Sequence, residues 1–525
     1  MKFKSLVTVI IILFTSCTDL EEVVYDQLTE DSLKANLTDN DIPSLLGPLY
    51  NDLRKLYTGN NATEAHFNGN WLWVSEESAD LWITPKRGGG WYDGGIYYRL
   101  NQHNWGTDET TLLGVWRSFY KAINTSNRLY EQFETLENET QRNKILAEIR
   151  VSRAFWYYNL ADFYGNVPLV TEFSLPDGYL PETNSRKEVV DFVINELKES
   201  IPFLDEEGYG KWNKFSASHL LAKVYLNYNT WFDSPKWDEV VALSDYIIND
   251  GDYSLESDYS QPFITENSSS PEIIMGVFND EIYHSEQPFL IHQWTMHWKF
   301  KFHQKTETFF WGGPCATPEF INTYDSEDLR LTKSWFEGQL YDNEGDGSPM
   351  FCDPWNPRDQ GKPLAYSREI ILDDDGITSG EADGLRMIKY EIKKGARASL
   401  SNDFVLFRLA DVYFMKAEAL YWKNGGAATQ EIVDLINTVR ERSFENFDDS
   451  KKLTVGQLDD NRFLDEYAWE FCQEGNRRQV LIRFDQFTSR NWFLHEPSGS
   501  DHKNLFPIPL QEINANPNLI QNPGY

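Results

Sequence analysis

The chain has 525 residues, of which 82 are acidic and 48 are basic, so its formal net charge at pH 7 is −34. This balance excludes a nucleic-acid-binding protein that relies on phosphate neutralisation, because such a protein needs a basic face. An apolar content of 41% is ordinary for a globular protein, and four cysteines are too few for a disulfide-stabilised scaffold. The unusual count is aromatic: 18 Trp, 27 Tyr and 33 Phe make up 15% of the chain.

Residues 1–16 have the pattern of a secretory signal peptide. Lys2 and Lys4 precede an apolar run, residues 6–14, that is too short to span a bilayer as a helix. Cys17 follows two small residues, an arrangement that resembles a bacterial lipobox, in which the signal is cut before a cysteine that then carries lipid. The acidic residues behind it resemble the surface-export signal of Bacteroidetes lipoproteins. We expect lipidation of Cys17 as the membrane attachment; the alternative is simple secretion with an incidental cysteine.

Helical periodicity dominates two parts of the chain, about 112–250 and 403–485. Apolar residues recur at three- and four-residue steps through residues 146–163, and this pattern ends at Gly165. Similar patterns predict further helices at 187–204, 216–232, 236–249, 406–421 and 428–442. Helices paired across short breaks favour antiparallel hairpins stacked as in tetratricopeptide solenoids. We predict a mainly α fold with a tetratricopeptide-like helical-repeat scaffold.

Two irregular segments lie outside the helical parts, at about 60–110 and 255–400. Both are rich in Gly, Pro, Asn, Asp and aromatic residues. Long irregular segments inside a compact protein are more often functional than idle. We expect them to form ligand-binding loops laid over the helical scaffold.

The C-terminal motif, residues 505–525 (LFPIPLQEINANPNLIQNPGY), resembles the ending of the SusD/RagB family of nutrient-binding outer-membrane lipoproteins. Supporting motifs occur in consistent order at residues 85–94, 150–170, 403–420, 437–442 and 465–485. The resemblance covers residues 17–525 and implies one SusD-like domain, in which a tetratricopeptide-like scaffold carries an irregular ligand-binding region. It also implies a place at the outer membrane, facing the cell exterior, and partnership with a SusC-like TonB-dependent transporter. Many members bind glycans, although the family is not confined to them.

Tryptophans cluster in the irregular segments. Residues 71–116 hold six of the 18, and a second cluster lies at 289–311. Because a flat indole ring can cover the C–H face of a sugar, rings in glycine-rich loops without neighbouring aliphatics fit a binding platform. We predict the ligand-binding residues Trp82, Trp91, Tyr92, Trp294, Trp298 and Trp311, with Arg87, Asp80 and Asp93 as partners of sugar hydroxyls. The alternative for each tryptophan is that it anchors its loop to the scaffold, and for Trp116 we expect the core.

No motif indicates a firm metal site or a disulfide. The spacing of His292, His297 and His303 fits no metal motif, so we expect hydrogen-bonded histidines. Calcium is the one cofactor considered, because an acidic loop partly matches the EF-hand pattern; the alternative is a solvated turn. Its candidate ligands are Asp342, Glu344, Asp346 and Asp353. The three later cysteines are expected to be small buried residues, with a Cys315–Cys352 bridge as the alternative.

Asp411 and Glu418 lie two turns apart on one predicted helix, a spacing that allows the paired carboxylates of a glycosidase. We expect instead a buried ion network with Arg408 or with the pair at 477–478. The predicted function is therefore non-catalytic: a cell-surface lipoprotein that captures an oligo- or polysaccharide and delivers it to the transporter. The alternatives are a secreted helical glycoside hydrolase and a repeat scaffold that binds proteins or peptides.

Overall fold

The computed structural model of the chain describes residues 38, 41–58, 70–88, 90–284 and 288–525. The predicted signal peptide and Cys17 lie outside the described residues. The described residues from 46 to 525 form one compact unit. Within the described ranges, no helix is long and apolar enough to cross a bilayer.

Helices make up most of the regular structure, as the periodicity predicts. The α-helices of the first half are α1 Ile42–Leu53, α2 Lys55–Thr58, α3 Trp71–Glu77, α4 Ile96–Asn101, α5 Thr110–Phe133, α6 Glu139–Tyr164, α7 Arg186–Ser200, α8 Lys214–Phe232 and α9 Trp237–Asp250. Those of the second half are α10 Ile291–Thr295, α11 Phe300–Gln304, α12 Pro318–Ile321, α13 Leu329–Ser334, α14 Leu409–Lys423, α15 Gln430–Arg440, α16 Asp460–Phe471, α17 Arg477–Arg483 and α18 Leu510–Ala515.

The long helices pack mainly against their neighbours in the chain. Helix α6 lies between α5 and α7, α8 packs on α9, and α14 packs on both α9 and α15. Side chains at the helix ends fix where each element starts: Ser185 and Glu188 form a capping box before α7, and Asn213 and Ser216 form one before α8. The predicted helical scaffold is confirmed, and Trp116 is buried in its core as expected.

One predicted helix starts later than its apolar stripe suggests. Residues Phe404–Arg408 form strand β10, and α14 begins only at Leu409. Strand β10 pairs antiparallel with β3, Ile273–Val277, and nearly every residue of both strands is buried. A short apolar run buried on both faces has no periodicity of its own, so a strand and the first turn of a helix look alike in the sequence.

Short strands of the described residues pair into two-stranded sheets. Besides β3 and β10, the strands are β1 Trp82–Ile83, β2 Lys86–Arg87, β4 Cys315–Ala316, β5 Trp335–Phe336, β6 Gly338–Gln339, β7 Ala365–Tyr366, β8 Thr378–Ser379 and β9 Arg386–Met387. Strand β1 pairs with β4, β2 with β8, β3 with β10, β5 with β9 and β6 with β7. Since β1 and β2 pair with β4 and β8, the loop after residue 82 is fixed against the 315–380 region.

The interior contains an ion network, but its partners differ from the predicted ones. Arg408 forms ion pairs with Glu272, Glu470 and Glu474, at 3.0, 2.8 and 2.8 Å. Arg477 binds Asp80 and Arg478 binds Asp162. Helix periodicity reports which residues face inward but not which distant carboxylates meet them. Cys315, Cys352 and Cys472 are buried free thiols, so the alternative of a Cys315–Cys352 bridge is wrong.

Candidate functional site

An open cavity of about 930 Å³ lies where the two irregular segments meet. Its aromatic wall consists of Trp91, Trp298, Phe310, Trp311 and Trp355. The ionisable side chains around it are Lys86, Arg87, Asp93, His297, Asp353, Arg358, Asp373 and Glu381. The cavity therefore combines flat apolar rings with both signs of charge.

Trp91 enters the wall from a strained loop. Trp91 and Asp93 both adopt left-handed backbone conformations, with φ of 61° and 42°. The indole of Trp91 lies parallel to that of Trp73, with ring centroids 5.9 Å apart, and donates its N–H to the carbonyl of Trp311 at 2.5 Å. The ring also passes over Gly313, where a Cβ would lie 2.5 Å from it. Close packing on several sides thus fixes the ring despite the strained backbone.

Trp298 and Trp355 form a second aromatic pair. Trp298 lies between α10 and α11, and Trp355 lies in a turn between two prolines. Their rings are nearly parallel, at 18°, with centroids 6.3 Å apart. Trp355 is 69% exposed and Trp311 is 37% exposed. These rings offer accessible apolar faces to a ligand in the cavity.

A cluster of buried polar groups lies beside this pair. The Trp298 indole N–H donates to Asp353 at 2.7 Å, and the ammonium of Lys299 lies 2.8 Å from the other oxygen. His297 Nε2 lies 3.5 Å from Asp353 and 3.3 Å from Glu381. Burial would raise the pKa of Asp353, but hydrogen bonds from His297, Lys299 and Trp298 lower it to about 2.

His297, Asp353 and Glu381 are also close enough together to hold a metal ion. However, His297 Nδ1 faces the backbone N–H of Lys299 at 3.3 Å, whereas a metal-bound imidazole needs an acceptor there for its own N–H. The Lys299 ammonium already compensates the charge of Asp353. These contacts favour a hydrogen-bonded cluster over a cation site.

The structure contradicts part of the predicted platform. Trp82 and Trp294 are fully buried, so the prediction that they present faces to a ligand is wrong. Both instead make edge contacts with Trp73, at 5.8 and 4.9 Å between centroids, beneath the ring of Trp91. Local sequence cannot distinguish the buried tryptophans from those that line the cavity, because both occur in the same loops.

Two predicted polar partners are also occupied. Asp80 is buried, and its carboxylate accepts hydrogen bonds from Nε and Nη2 of Arg477, which hold its pKa below the usual value although burial opposes this. Arg87 lies on the wall, but its guanidinium donates to the carbonyls of Gly313, Gly380 and Asp383. The prediction that these two side chains bind a ligand is therefore wrong. Asp93 is exposed on the wall, and Tyr92 is exposed next to it without lining the cavity.

Sequence reasoning missed Trp355, Arg358 and Glu381. Trp355 carried a usable signal: it stands between Pro354 and Pro357 with no aliphatic neighbour, the same context that singled out Trp91. His297 was noticed, but its carboxylate neighbours lie 56 and 84 positions later, so spacing could not show the cluster. The expectation of hydrogen-bonded histidines is confirmed, since His292 bonds the Arg397 carbonyl and His303 accepts from Tyr341 N–H.

The four calcium candidates do not converge. Asp342 and Asp346 accept backbone N–H groups within their own exposed turn, and Glu344 is exposed beside them. Asp353 belongs to the cavity cluster instead. Among the described residues, none of the first three joins a group of carboxylates close enough to share an ion.

Asp411 and Glu418, whose spacing would allow a glycosidase pair, have structural roles instead. Asp411 binds Lys223 at 2.8 Å, which holds the pKa of Asp411 far below its usual value despite burial. Glu418 binds Arg483 at 2.6 Å and accepts the Tyr467 hydroxyl. Both carboxylates lie outside the aromatic cavity. The prediction of buried ion pairs is confirmed, with Lys223 and Arg483 as the partners in place of the expected arginines.

Two family models match successive parts of this chain. Residues 313–525 match the model described as "SusD family", and residues 86–226 match one described as "Starch-binding associating with outer membrane". Over both stretches the chain is similar to the SusD/RagB family. Two residues of the aromatic wall, Trp91 and Trp355, lie in the matched stretches. The other three, Trp298, Phe310 and Trp311, lie between the two matches.

Relatives and solved structures of SusD-like proteins agree with this similarity. The starch-binding protein SusD of Bacteroides thetaiotaomicron is 24% identical over 501 residues, covering 86% of this chain and 83% of that protein. A SusD-like protein of Bacteroides ovatus is 25% identical over 474 residues, covering 84% and 77%. A laminarin-binding SusD-like protein has the same fold, with a TM-score of 0.71 and 20% identity over 93% of this chain and 100% of that one. The surface glycan-binding protein A of B. thetaiotaomicron, solved in complex with laminarihexaose, matches with a TM-score of 0.69 and 19% identity over 93% and 100%.

Proposed function

We propose that this chain is a non-catalytic glycan-binding lipoprotein of the cell surface, which captures an oligo- or polysaccharide and delivers it to a SusC-like TonB-dependent transporter. One observation carries the proposal: tryptophans from separate stretches of both irregular segments face a single open cavity. The names of similar family members, which specify starch and laminarin, agree with a sugar ligand.

The mechanism is equilibrium binding. Each accessible indole contributes a stacking contact of about 0.5–1.5 kcal/mol beyond the apolar area that it buries. A few such contacts give dissociation constants of roughly micromolar to millimolar, about −8 to −4 kcal/mol. Affinity in this range suits a protein that must release its cargo.

Polar groups at the rim of the cavity recognise the hydroxyl groups of the sugar. Asp93 and Asp373 are exposed carboxylates on the cavity wall, and each has acceptor positions beyond its protein contacts. A carboxylate can accept from two sugar hydroxyls at once, which gives orientation as well as affinity.

The buried carboxylate of Asp353 does not suit the acid step of glycoside hydrolysis. A glycosidase needs a carboxylic acid whose pKa is raised, so that it can protonate the leaving oxygen. The hydrogen bonds to Asp353 have the opposite effect, because they lower its pKa to about 2. Asp353 is suited to accept hydrogen bonds, which favours binding over catalysis.

The proposals of membrane attachment and of glycan delivery to the transporter rest on the sequence. Cys17 in its lipobox-like context provides the anchor, and the acidic residues after it agree with export to the cell exterior. Similarity to the family supports the transporter as the partner. Co-purification of the full-length chain with a co-expressed SusC-like protein tests this part, and a Cys17→Ala variant recovered in the soluble fraction tests the anchor.

The sugar-binding part is tested by isothermal titration calorimetry of residues 18–525 against a panel of glycans that includes starch and laminarin. We expect a member of the panel to bind. The substitutions Trp298→Ala and Trp355→Ala should each weaken that binding by about two- to tenfold, and the double variant by more, as the stacking energy requires. Tyr179→Ala is the control, because Tyr179 is an exposed ring that does not line the cavity.

Two results would separate the alternatives. Release of shorter sugars from the panel, abolished by Glu381→Gln, would support a hydrolase. Absence of binding to every glycan, together with capture of a peptide ligand that Trp355→Ala abolishes, would support a peptide-binding scaffold.

A further inference from the structure

We propose that the cavity selects neutral glycans over anionic ones, that is, over glycans bearing uronate or sulfate groups. This inference rests on the proposed function and narrows its substrate class. It follows from the state of the positive groups on the cavity wall, each of which is already bound to acceptors of the protein itself.

Recognition of a carboxylate or sulfate group calls for a guanidinium or ammonium group with donors to spare. Arg87 has no such capacity. Its Nε donates to the Gly313 carbonyl at 3.1 Å, and Nη2 donates to the Asp383 carbonyl and to the Cys315 sulfur, both at 3.0 Å. Its Nη1 donates to the Gly380 carbonyl. With 8% of its surface exposed, Arg87 serves as a structural link between the two irregular segments.

Arg358 is compensated by carboxylates. It forms an ion pair with Asp373, and its other nitrogens lie 3.6 Å from Asp383 and 3.7 Å from Asp359. It also donates to the backbone carbonyl of Ile371. Three carboxylates around one guanidinium leave this side of the cavity negative.

The lysines near the cavity are also paired. Lys86 lies 3.4 Å from Asp375, and Lys299 lies 2.8 Å from Asp353. The Lys86 pair is partly exposed, with 31% and 40% of the side chains accessible, so it is the weaker of the two. Among the described residues that line the cavity, an anionic sugar would therefore have to displace protein carbonyls from Arg87 or carboxylates from Arg358, and it would compete with Asp375 for Lys86.

The free charge at the rim has the opposite sign. Asp93 is exposed on the wall, and among the described side chains it accepts a hydrogen bond from the neutral hydroxyl of Tyr97 at 3.0 Å. The whole chain adds a negative field, with 82 acidic against 48 basic residues. This field raises the free energy of an approaching polyanion and leaves a neutral glycan unaffected.

The test compares one glycan backbone in two charge states. Laminarin and starch are each used unmodified and after oxidation of their C6 hydroxyls to carboxylates, and calorimetry measures binding to residues 18–525. We expect the neutral form of the glycan that binds to be preferred by about tenfold or more in moderate salt. The affinity of the neutral form should change less than about twofold between roughly 0.05 and 0.5 M NaCl, since no charge is screened.

A matched pair of variants tests the stated cause. Asp373→Asn removes a carboxylate from Arg358, so it should improve binding of the oxidised form relative to the neutral form by several-fold. Asp374→Asn makes the same charge change on the adjacent exposed residue, which does not line the cavity, and should leave the ratio unchanged.

Each remaining outcome counts against the inference. Equal or tighter binding of the oxidised form overturns charge selection while leaving glycan binding intact. An equal effect of Asp373→Asn and Asp374→Asn overturns the role assigned to Arg358 and points to net charge alone. Failure of both forms of every panel glycan to bind overturns the proposed function, and this inference with it.

Discussion

The indole N–H of Trp298 donates a 2.7 Å hydrogen bond to Oδ2 of Asp353. The same carboxylate holds the ammonium of Lys299 at 2.8 Å, and the Trp298 ring stacks against Trp355. One buried carboxylate thus fixes the orientation of the Trp298 ring that stacks against the exposed Trp355. Its low pKa keeps it ionised throughout the physiological pH range.

We therefore expect Asp353→Ala to weaken glycan binding although Asp353 itself is nearly buried. Loss of the acceptor releases the Trp298 ring, and a net hydrogen bond contributes about 0.5–1.5 kcal/mol, equivalent to about two- to tenfold in affinity. Asp353→Asn keeps an oxygen that can accept from the indole, so its loss should be smaller. Calorimetric affinities of the two variants, with melting temperatures as a check on folding, measure the difference.

Asp346→Ala is the matched control, because Asp346 lies in an exposed turn away from the cavity. Indistinguishable losses for the Ala and Asn variants at position 353 would contradict the positioning role. Wild-type glycan affinity in Asp353→Ala would contradict that role as well.

Substitution of a buried tryptophan in the irregular segments should lower stability much more than substitution of an exposed one. Trp294→Ala empties a fully buried site and should lower the free energy of unfolding by about 3–5 kcal/mol. Trp355→Ala removes an exposed ring and should change that free energy by about 0.5 kcal/mol or less. Urea unfolding of both variants measures the two free energies. A larger loss of stability for Trp355→Ala than for Trp294→Ala would contradict the assignment of Trp294 as buried and Trp355 as exposed.

The helical scaffold was predictable because its signals are local. The apolar spacing of residues 146–163 and the break at Gly165 match α6, which ends at Tyr164. Strand β10 was not predictable in this way, since its partner β3 lies more than a hundred residues earlier and supplies the pairing that makes Phe404–Arg408 extended.

The site was only partly predictable for the same reason. Trp91, Trp298 and Trp311 could be selected as rings in irregular segments, and the structure places all three at the cavity. Trp82 occurs in a similar context but is paired into β1 and buried under Trp73. Whether a tryptophan is exposed depends on which loop covers it. The arrangement of the loops is set by strand pairings between distant residues, such as β2 with β8, which have no signature in the local sequence.

Gly313 is expected to control the position of Trp91. A Cβ at residue 313 would lie 2.5 Å from the indole ring, closer than any ordinary contact, so Gly313→Ala must displace the ring or the loop. Overpacking of this kind costs about 1–3 kcal/mol of stability. We expect a lower melting temperature, together with a change in glycan affinity because Trp91 lines the cavity.

Gly456→Ala is the control for this substitution, since a Cβ there meets nothing within 4 Å. Wild-type affinity and stability in Gly313→Ala would show that Trp91 can relax without consequence and would contradict the close packing described above.

Glu77 should make stability depend on pH. It is buried at the end of α3, where its oxygens accept the N–H and hydroxyl of Thr84, and burial raises its pKa to about 8 against those hydrogen bonds. The folded state therefore binds this proton more tightly than the unfolded state, whose glutamate has a pKa of about 4.3. The resulting stabilisation is complete below about pH 4 and is lost as the pH rises toward 8.

Glu77→Gln removes this titration while keeping an oxygen for the Thr84 N–H and an amide that can donate to its hydroxyl. The variant should gain stability relative to the wild type as the pH rises from about 5 to about 8, by up to roughly 1.4 kcal/mol per pH unit. Glu76, whose pKa burial raises to about 7, titrates in both proteins, so its contribution cancels in the comparison. Urea unfolding across this pH range measures the difference, with Glu207→Gln on the exposed surface as the control. A difference between variant and wild type that stays constant with pH would show that Glu77 ionises alike in the folded and unfolded chains.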